Sequence, residues 1–337
     1  MKKQFKTESG QVAVIVALLI VSLVGMTALV IDVGSLYEVR RNLQTVADAA
    51  ALAGAQELPH SVTEAKQKAI EYANNNLKYS DTEITEDNIE IFSTEVPNDS
   101  IRVTPEDKNP QLFFSGILGI NTAEVAATAT ATVYNPLSMN HLVPWSIPQD
   151  KYGEVIPGQS YSLKVPAQEQ EDGNFQAMCF QNDNIAAKSG ANLYEYNIVH
   201  GCTEDIIIGH QYPTEPGNMV GPTESGVEDL IGGNTQSFSE VTSTITGDDG
   251  KTYYSGTDTT CPRIVLVPII DSLPNGKSDP VTIMGFAIFY VEDISEEGKG
   301  KDKRAEVKGK FIDYMLVQST GDVTGYEGGL KVVRLVD

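Results

Sequence analysis

Val12 to Ile31 reads VAVIVALLIVSLVGMTALVI, twenty residues without a charge. It runs on without a proline into Asp32-Val33-Gly34-Ser35-Leu36-Tyr37-Glu38-Val39-Arg40-Arg41-Asn42-Leu43-Gln44-Thr45-Val46-Ala47-Asp48-Ala49-Ala50-Ala51-Leu52-Ala53-Gly54-Ala55. At about 1.5 Å rise per residue, twenty apolar residues span roughly 30 Å, the thickness of a bilayer's hydrocarbon core. Lys2, Lys3 and Lys6 precede the run. They could form the n-region of a secretory signal, but such a signal has an apolar stretch of only about 7–15 residues and then a small-residue cleavage site. The longer run, passing directly into a helical pattern, is read as a retained membrane anchor. The lysines place the N-terminus in the cytoplasm under the positive-inside rule. Beyond Ile31, Leu36, Leu43, Val46 and Ala50 recur at helical spacing, and alanine, the best helix former, is abundant. The helix is expected to continue to about Glu57, since Pro59 is the first proline. Small residues such as Ala50 and Gly54 allow another helix or a sheet to approach closely.

The chain has 337 residues, with 24 Lys+Arg against 46 Asp+Glu and a formal net charge of −22. That balance excludes nucleic acid and anionic lipid surfaces as partners, because both would repel it. A hydrophobic share of 41% and a charged share of 21% are ordinary for a folded protein. Four histidines and three cysteines are little material for metal or acid–base chemistry. No H-E-x-x-H, C-x-x-C, G-x-S-x-G or G-x-x-x-x-G-K-[ST] occurs. The chain is therefore read as not an enzyme, with no cofactor, no metal and no small-molecule substrate.

Gly10-Gln11 and the stretch Asp32–Ala55, with its D-V-G…Y…R-x-x-L-Q-x-x-A-D-A-A-A-L-A-G-A pattern, resemble the N-terminal signature of TadE/TadG-like Flp pilus-assembly proteins over about residues 10–58. Leu112-Phe113-Phe114-Ser115-Gly116-Ile117-Leu118-Gly119-Ile120 and Val125–Ala131 are similar to the close of that region. Gly173-Asn174-Phe175, Glu215–Thr223 and Pro262–Pro268 resemble the C-terminal part of TadG-like members. Pseudopilins of the TadE type carry a glutamate just after the processing glycine. Here Gly10 is followed by Gln11-Val12-Ala13, which favours the TadG-like reading. The resemblance implies a structural role in a Tad (Flp) pilus or secretion assembly, other Tad/Flp membrane proteins as partners, and no known enzymatic activity. Leu36, Leu43, Val46, Ala50 and Gly54 are the candidate packing residues.

The expected fold class is α+β, in four parts: a cytoplasmic N-terminus (1–11), a transmembrane helix (12–31), a small pilin-like α+β domain (32–135), and a mostly β barrel or sandwich (136–337) outside the membrane. In the first domain Ser61 is read as the N-cap of a second helix reaching Leu77, with Glu64 completing a capping box. Strands follow near Asn88–Glu95 and Ser100–Thr104, then a short helix at Pro110–Leu118 and a strand at Ala123–Tyr134. Beyond Pro136, short apolar runs punctuated by Pro, Gly, Asn and Asp predict strands at Ser160–Val165, Phe175–Phe180, Ile206–Ile208, Ile264–Ile270, Val281–Val291, Glu306–Val317 and Leu330–Leu335. Helices are expected near Ala186–Val199 and Thr223–Ile231, the latter capped by Thr223. Gly298–Arg304 reads as a solvated basic hairpin loop, Asp248-Asp249-Gly250 as a turn, and Trp145 as a domain-junction residue.

All three cysteines fall in the second domain, and a location outside the membrane permits oxidation. Cys202–Cys261 is the expected bridge, with Cys179 free. The alternative Cys179–Cys202 closes a shorter loop, contributing about 3.5 against about 4.3 kcal/mol, too small a difference to decide. A ligand- or cell-wall-binding protein on a single anchor is the rival reading to a pilus-assembly component. An envelope enzyme with unidentified carboxylates is the third.

Overall fold

The fold is that of a computed structural model, described over residues 9–78, 83–119, 123–163, 177–215, 219–273, 279–297, 304–317, 322–324 and 329–336. Its first element, α1 (Ser9–Ala55), is one unbroken helix of 47 residues, about 70 Å long at 1.5 Å per residue. Its two halves lie in different surroundings. From Val12 to Val33 nearly every large apolar side chain is exposed. Two hydroxyls within this run are satisfied internally: Ser22 donates to the Leu18 carbonyl at 2.8 Å and Thr27 to that of Leu23 at 2.9 Å. Such i−4 bonding removes the cost of placing a hydroxyl in an apolar setting. From Val39 onward one face of the same helix is buried. Among the described residues α1 is the one helix long and apolar enough to cross a membrane.

The second helix, α2 (Val62–Asn76), is capped by Ser61, whose hydroxyl accepts the Glu64 amide as the sequence expects; the other half of the expected capping box is replaced, since the Ser61 amide donates to the Glu57 carbonyl at 3.1 Å. Its Ala65, Ala69 and Ala73 pack against Ala47, Ala50 and Ala51 of α1. The strands β1 (Ile89–Phe92), β2 (Ser100–Val103), β3 (Glu106–Asp107), β4 (Val125–Ala126) and β5 (Ala129–Pro136) follow. The strand expected from Ala123 is thus broken in two. The helix expected over Pro110–Leu118 shrinks to a 3-10 turn at Ser115–Leu118, because the amides of Phe113, Phe114 and Ser115 are taken by a carboxylate of α1 instead of helical carbonyls.

Beyond residue 136 come β6 (Ser138–Met139), β7 (Ile147–Pro148), α3 (Gln149–Tyr152), β8 (Ser160–Leu163), α4 (Ala191–His200), β9 (Ile206–Ile207) and β10 (Gln211–Tyr212). Then follow α5 (Val220–Ile231), α6 (Phe238–Val241), β11 (Thr242–Thr246), β12 (Thr252–Gly256), β13 (Ile264–Ile270) and β14 (Val281–Glu297). The last elements are β15 (Arg304–Ile312), β16 (Tyr314–Leu316), β17 (Val323–Thr324) and β18 (Leu330–Val336).

The larger sheet has the order β1-β2-β5-β18-β16-β12-β11, with β17 also paired to β5. The other runs β7-β13-β14-β15-β8, with β10 paired to β14. Each path begins and ends on different strands, so both sheets are open and the barrel alternative is corrected: among the described residues no sheet closes on itself. The larger sheet draws strands from both sides of residue 136, since β18 pairs antiparallel with β5 from Val332↔Tyr134 to Val336↔Thr130. Residues of α1, α2, β1, β2 and β5 share one core cluster. A second cluster joins the smaller sheet to α4 and α5.

Several local expectations shift. Gly190, at φ +84°, marks the start of α4, which therefore begins later than expected. Helix α5 begins at Val220, so Thr223 is inside it rather than capping it; the Thr223 hydroxyl donates to the Met219 carbonyl at 2.6 Å. Of Phe175–Phe180, residues 175 and 176 lie outside the described residues, and the remainder forms only a single bridge, Met178 to Thr214. Gly173–Phe175 and 298–303 likewise lie outside them, though β14 and β15 pair as far as Glu297↔Arg304.

Candidate functional site

The expected packing residues occupy three different environments along α1. Leu36 is half-buried and lines an apolar cavity of about 380 Å³ with Val21, Leu29, Leu112 and Phe114. Leu43 is buried with Val39 and Ala127. Val46 and Ala50 are fully buried in the cluster shared with α2 and the larger sheet. Gly54 marks the closest approach: a Cβ there would stand 2.6 Å from Ile101 Cδ1 and 2.8 Å from the Ala65 carbonyl oxygen. Only glycine gives α1, α2 and β2 this spacing. The small side chains therefore set the helix-to-helix and helix-to-sheet distances within this chain.

Asp32, the first charge after the apolar run, is 5% exposed. Its carboxylate accepts the amides of Phe113 at 2.8 Å, Phe114 at 3.1 Å and Ser115 at 2.6 Å. Charge-assisted bonds of this kind are the strong class. They fix the loop carrying Leu112–Gly116 against α1 where the apolar run ends. Sequence reasoning missed this contact, although an acid standing alone at the end of twenty uncharged residues was a visible signal.

The other end of α1 meets a buried ionic cluster. Lys331 of β18 is fully buried; its Nζ donates to the Gln56 carbonyl at 3.1 Å and lies 3.5 Å from the centre of the Tyr314 ring. Burial pushes its ammonium down to about 7, against the opposing pull of the Glu57 and Asp313 carboxylates. Asp313 is pushed up to about 6, again by burial, while the Tyr254 amide it accepts works the other way. His60 stacks on Tyr253 and Tyr314, with ring centroids 4.3 and 5.0 Å apart. Burial, with the nearby Lys331 charge, takes its imidazole down to about 3. A cation–aromatic contact in a desolvated setting is worth about 2 kcal/mol. The cluster thus binds the loop after α1 to the last strand of the same sheet.

A third long-range contact reinforces this junction. Asp248, in the β11–β12 turn, accepts the Val62 amide at 2.7 Å and the Ser61 hydroxyl at 3.3 Å. Its carboxyl lies below the usual carboxylate range: these bonds and those from Thr63 outweigh the opposing effect of burial, the largest single influence. The turn read from Asp248-Asp249-Gly250 is present and also caps α2.

Trp145 and Arg263 are structural in placement. Trp145 lies in the core of the smaller sheet and donates to the Tyr194 hydroxyl at 3.0 Å. Arg263 donates to carbonyls of Asn234, Val291 and Glu292 and ties the α5–α6 loop to β14. Cys179, Cys202 and Cys261 are unbridged in the structure, the expected pair Cys202 and Cys261 included. The two partners share one core cluster, but the Cys202 thiol is directed at the Glu204 carbonyl, 3.5 Å away. Among the described residues no three His, Cys, Asp or Glu side chains are grouped to hold a metal ion.

The family model described as putative Flp pilus-assembly TadE/G-like matches residues 10–57. No curated protein and no solved structure matches the chain. The matched residues run from the second residue of α1 to two residues beyond its end and include the apolar run, Asp32, the alanine stripe and Gly54. Residues 10–57, nearly all of α1 and the two residues after it, are thus similar to the TadE/G-like Flp pilus-assembly family.

Proposed function

We propose that this protein is a membrane-anchored structural component of a Tad (Flp) type pilus or secretion assembly, with its N-terminus in the cytoplasm and its folded body outside. The observation that carries this reading is the division of α1. One continuous helix offers a bare apolar half long enough to cross a bilayer, and its other half packs into the core cluster formed with α2 and the larger sheet. Residues 10–57, which match the pilus-assembly family, span both halves. A helix shared in this way joins the apolar run to the body without a flexible joint. The role is structural rather than enzymatic, and the partners are other membrane proteins of the same assembly.

The test is affinity isolation of the full chain from membranes in mild detergent, with quantitative mass spectrometry against an unrelated single-pass protein. Enrichment of other Flp pilus-assembly components is expected. Recovery of cell-wall polymer or a soluble ligand, with no pilus component, would favour a binding protein on a membrane anchor instead.

A further inference from the structure

The apolar cavity beside Leu36 is walled on one side by Val21, Val24, Gly25, Ala28 and Leu29 of the apolar run, and on the other by Leu112 and Phe114 of the loop that Asp32 holds. Three backbone amides bonded to one carboxylate fix the height of that loop relative to the helix. Asp32 directly follows the twenty-residue run, so Phe113 and Phe114 stand where the hydrocarbon ends and the headgroups begin. Phe113 is 57% exposed, Phe114 37% and Tyr37, five residues beyond Asp32 on α1, 70%. Aromatic side chains are enriched at this level of a bilayer. The cavity is continuous with the bare wall of α1, a surface that lipid and not water would cover.

We propose that the Leu112–Ser115 loop is a membrane-surface contact: Phe113 and Phe114 enter the bilayer interface, and the apolar cavity behind them takes the upper part of a phospholipid acyl chain. The body then rests on the bilayer through two points, helix and loop, instead of swinging on a single stalk. A phospholipid is the occupant, rather than a second copy of the chain, because the cavity wall from Val21 to Leu29 lies within the bilayer-spanning run. The surrounding bilayer supplies acyl chains there without any assembly step. The strongly acidic body makes zwitterionic lipid the suitable headgroup class. This inference rests on the membrane-anchor reading above.

The test uses tryptophan fluorescence of the full chain in phosphatidylcholine vesicles with bromines placed either near the headgroup end of the acyl chains or near their tips. The native Trp145 is 1% exposed and gives the baseline. Phe113→Trp is expected to be quenched by the shallow bromines, and Leu23→Trp, a control in the middle of the apolar run, by the deep ones. Both positions are exposed, so the larger ring fits without repacking. Quenching of Leu23→Trp with Phe113→Trp left at baseline would overturn the loop contact and leave the anchor standing; a second protein copy covering the loop would give this result. Quenching of Phe113→Trp by the deep bromines alone would overturn the interfacial placement. Quenching of neither would overturn the anchor and the loop contact together.

Discussion

Replacing Gly54 with alanine adds one methyl group at the tightest point of α1. Its ideal position lies 2.6 Å from Ile101 Cδ1, 2.8 Å from the Ala65 carbonyl oxygen and 3.1 Å from Ala69 Cβ. The isoleucine terminus can rotate away, but the carbonyl belongs to the first turn of α2, so relief requires the helices to separate. Overpacking of this kind costs about 1–3 kcal/mol, while alanine in place of glycine within a helix returns about 1 kcal/mol. Gly34 lies on the same helix with nothing within 4 Å of the added Cβ, so Gly34→Ala collects only the favourable part. The propensity gain cancels between the two variants, and their stabilities should differ by the overpacking cost alone, about 1–3 kcal/mol. At about 2–4 °C per kcal/mol for a body of this order of size, the melting temperatures should separate by several degrees. The assay is thermal unfolding of the full chain in detergent, followed by near-ultraviolet circular dichroism. Gly54→Ala melting at or above Gly34→Ala would refute the close approach of α1 to α2 and β2.

Four further outcomes are expected. Asp32→Ala should speed hydrogen exchange at the amides of Phe113–Ser115 by about tenfold or more, since bonds to a charged acceptor are worth about 1.5–3 kcal/mol; unchanged exchange there would show that the loop is held by something else. Asp248→Ala removes the distant cap of α2 and should cost about 1 kcal/mol in urea unfolding, with no effect counting against the contact to Val62. For His60 the unfolded state takes up a proton near 6.5 while the native state resists until about 3, so wild-type stability falls as pH drops through that window. His60→Phe keeps the stacking on Tyr253 and Tyr314 and should lose less stability than wild type between those limits; parallel pH curves would contradict it. Peptide mapping of protein isolated without reductant and alkylated after unfolding should recover Cys179, Cys202 and Cys261 as three free thiols, and a linked 202–261 peptide would restore the expected bridge.

What was legible in the sequence is what local chemistry determines. The apolar run and the alanine stripe of α1, the Ser61 cap, and the Ile264–Ile270 strand read correctly because their periodicity or capping residues are contained within a few turns. The hairpin β11–β12 was missed because TSTIT and TYYSG contain no apolar run; their threonines and tyrosines were the available strand signal. The Pro110–Leu118 helix failed because a carboxylate 81 residues upstream claims the Phe113 amide. Asp32 stands out at the end of the apolar run, but nothing around Phe113 points to a partner so far upstream. The same holds for Asp248 at the start of α2, and for β18, whose place beside β5 carries the last residues of the chain into the first sheet. Lys331, a cation within the apolar alternation of Leu330, Val332 and Val333, was the clearest unused hint, since a lysine is buried only where partners await it.

Deleting the protein from its host and counting surface Flp-type fibres by electron microscopy tests the pilus-assembly role most directly. Loss of the fibres, with restoration by the full chain but not by a chain in which Ala50 and Gly54 are both replaced by arginine, is the expected result. Fibres of normal number and length in the deletion strain would contradict a structural role in that assembly.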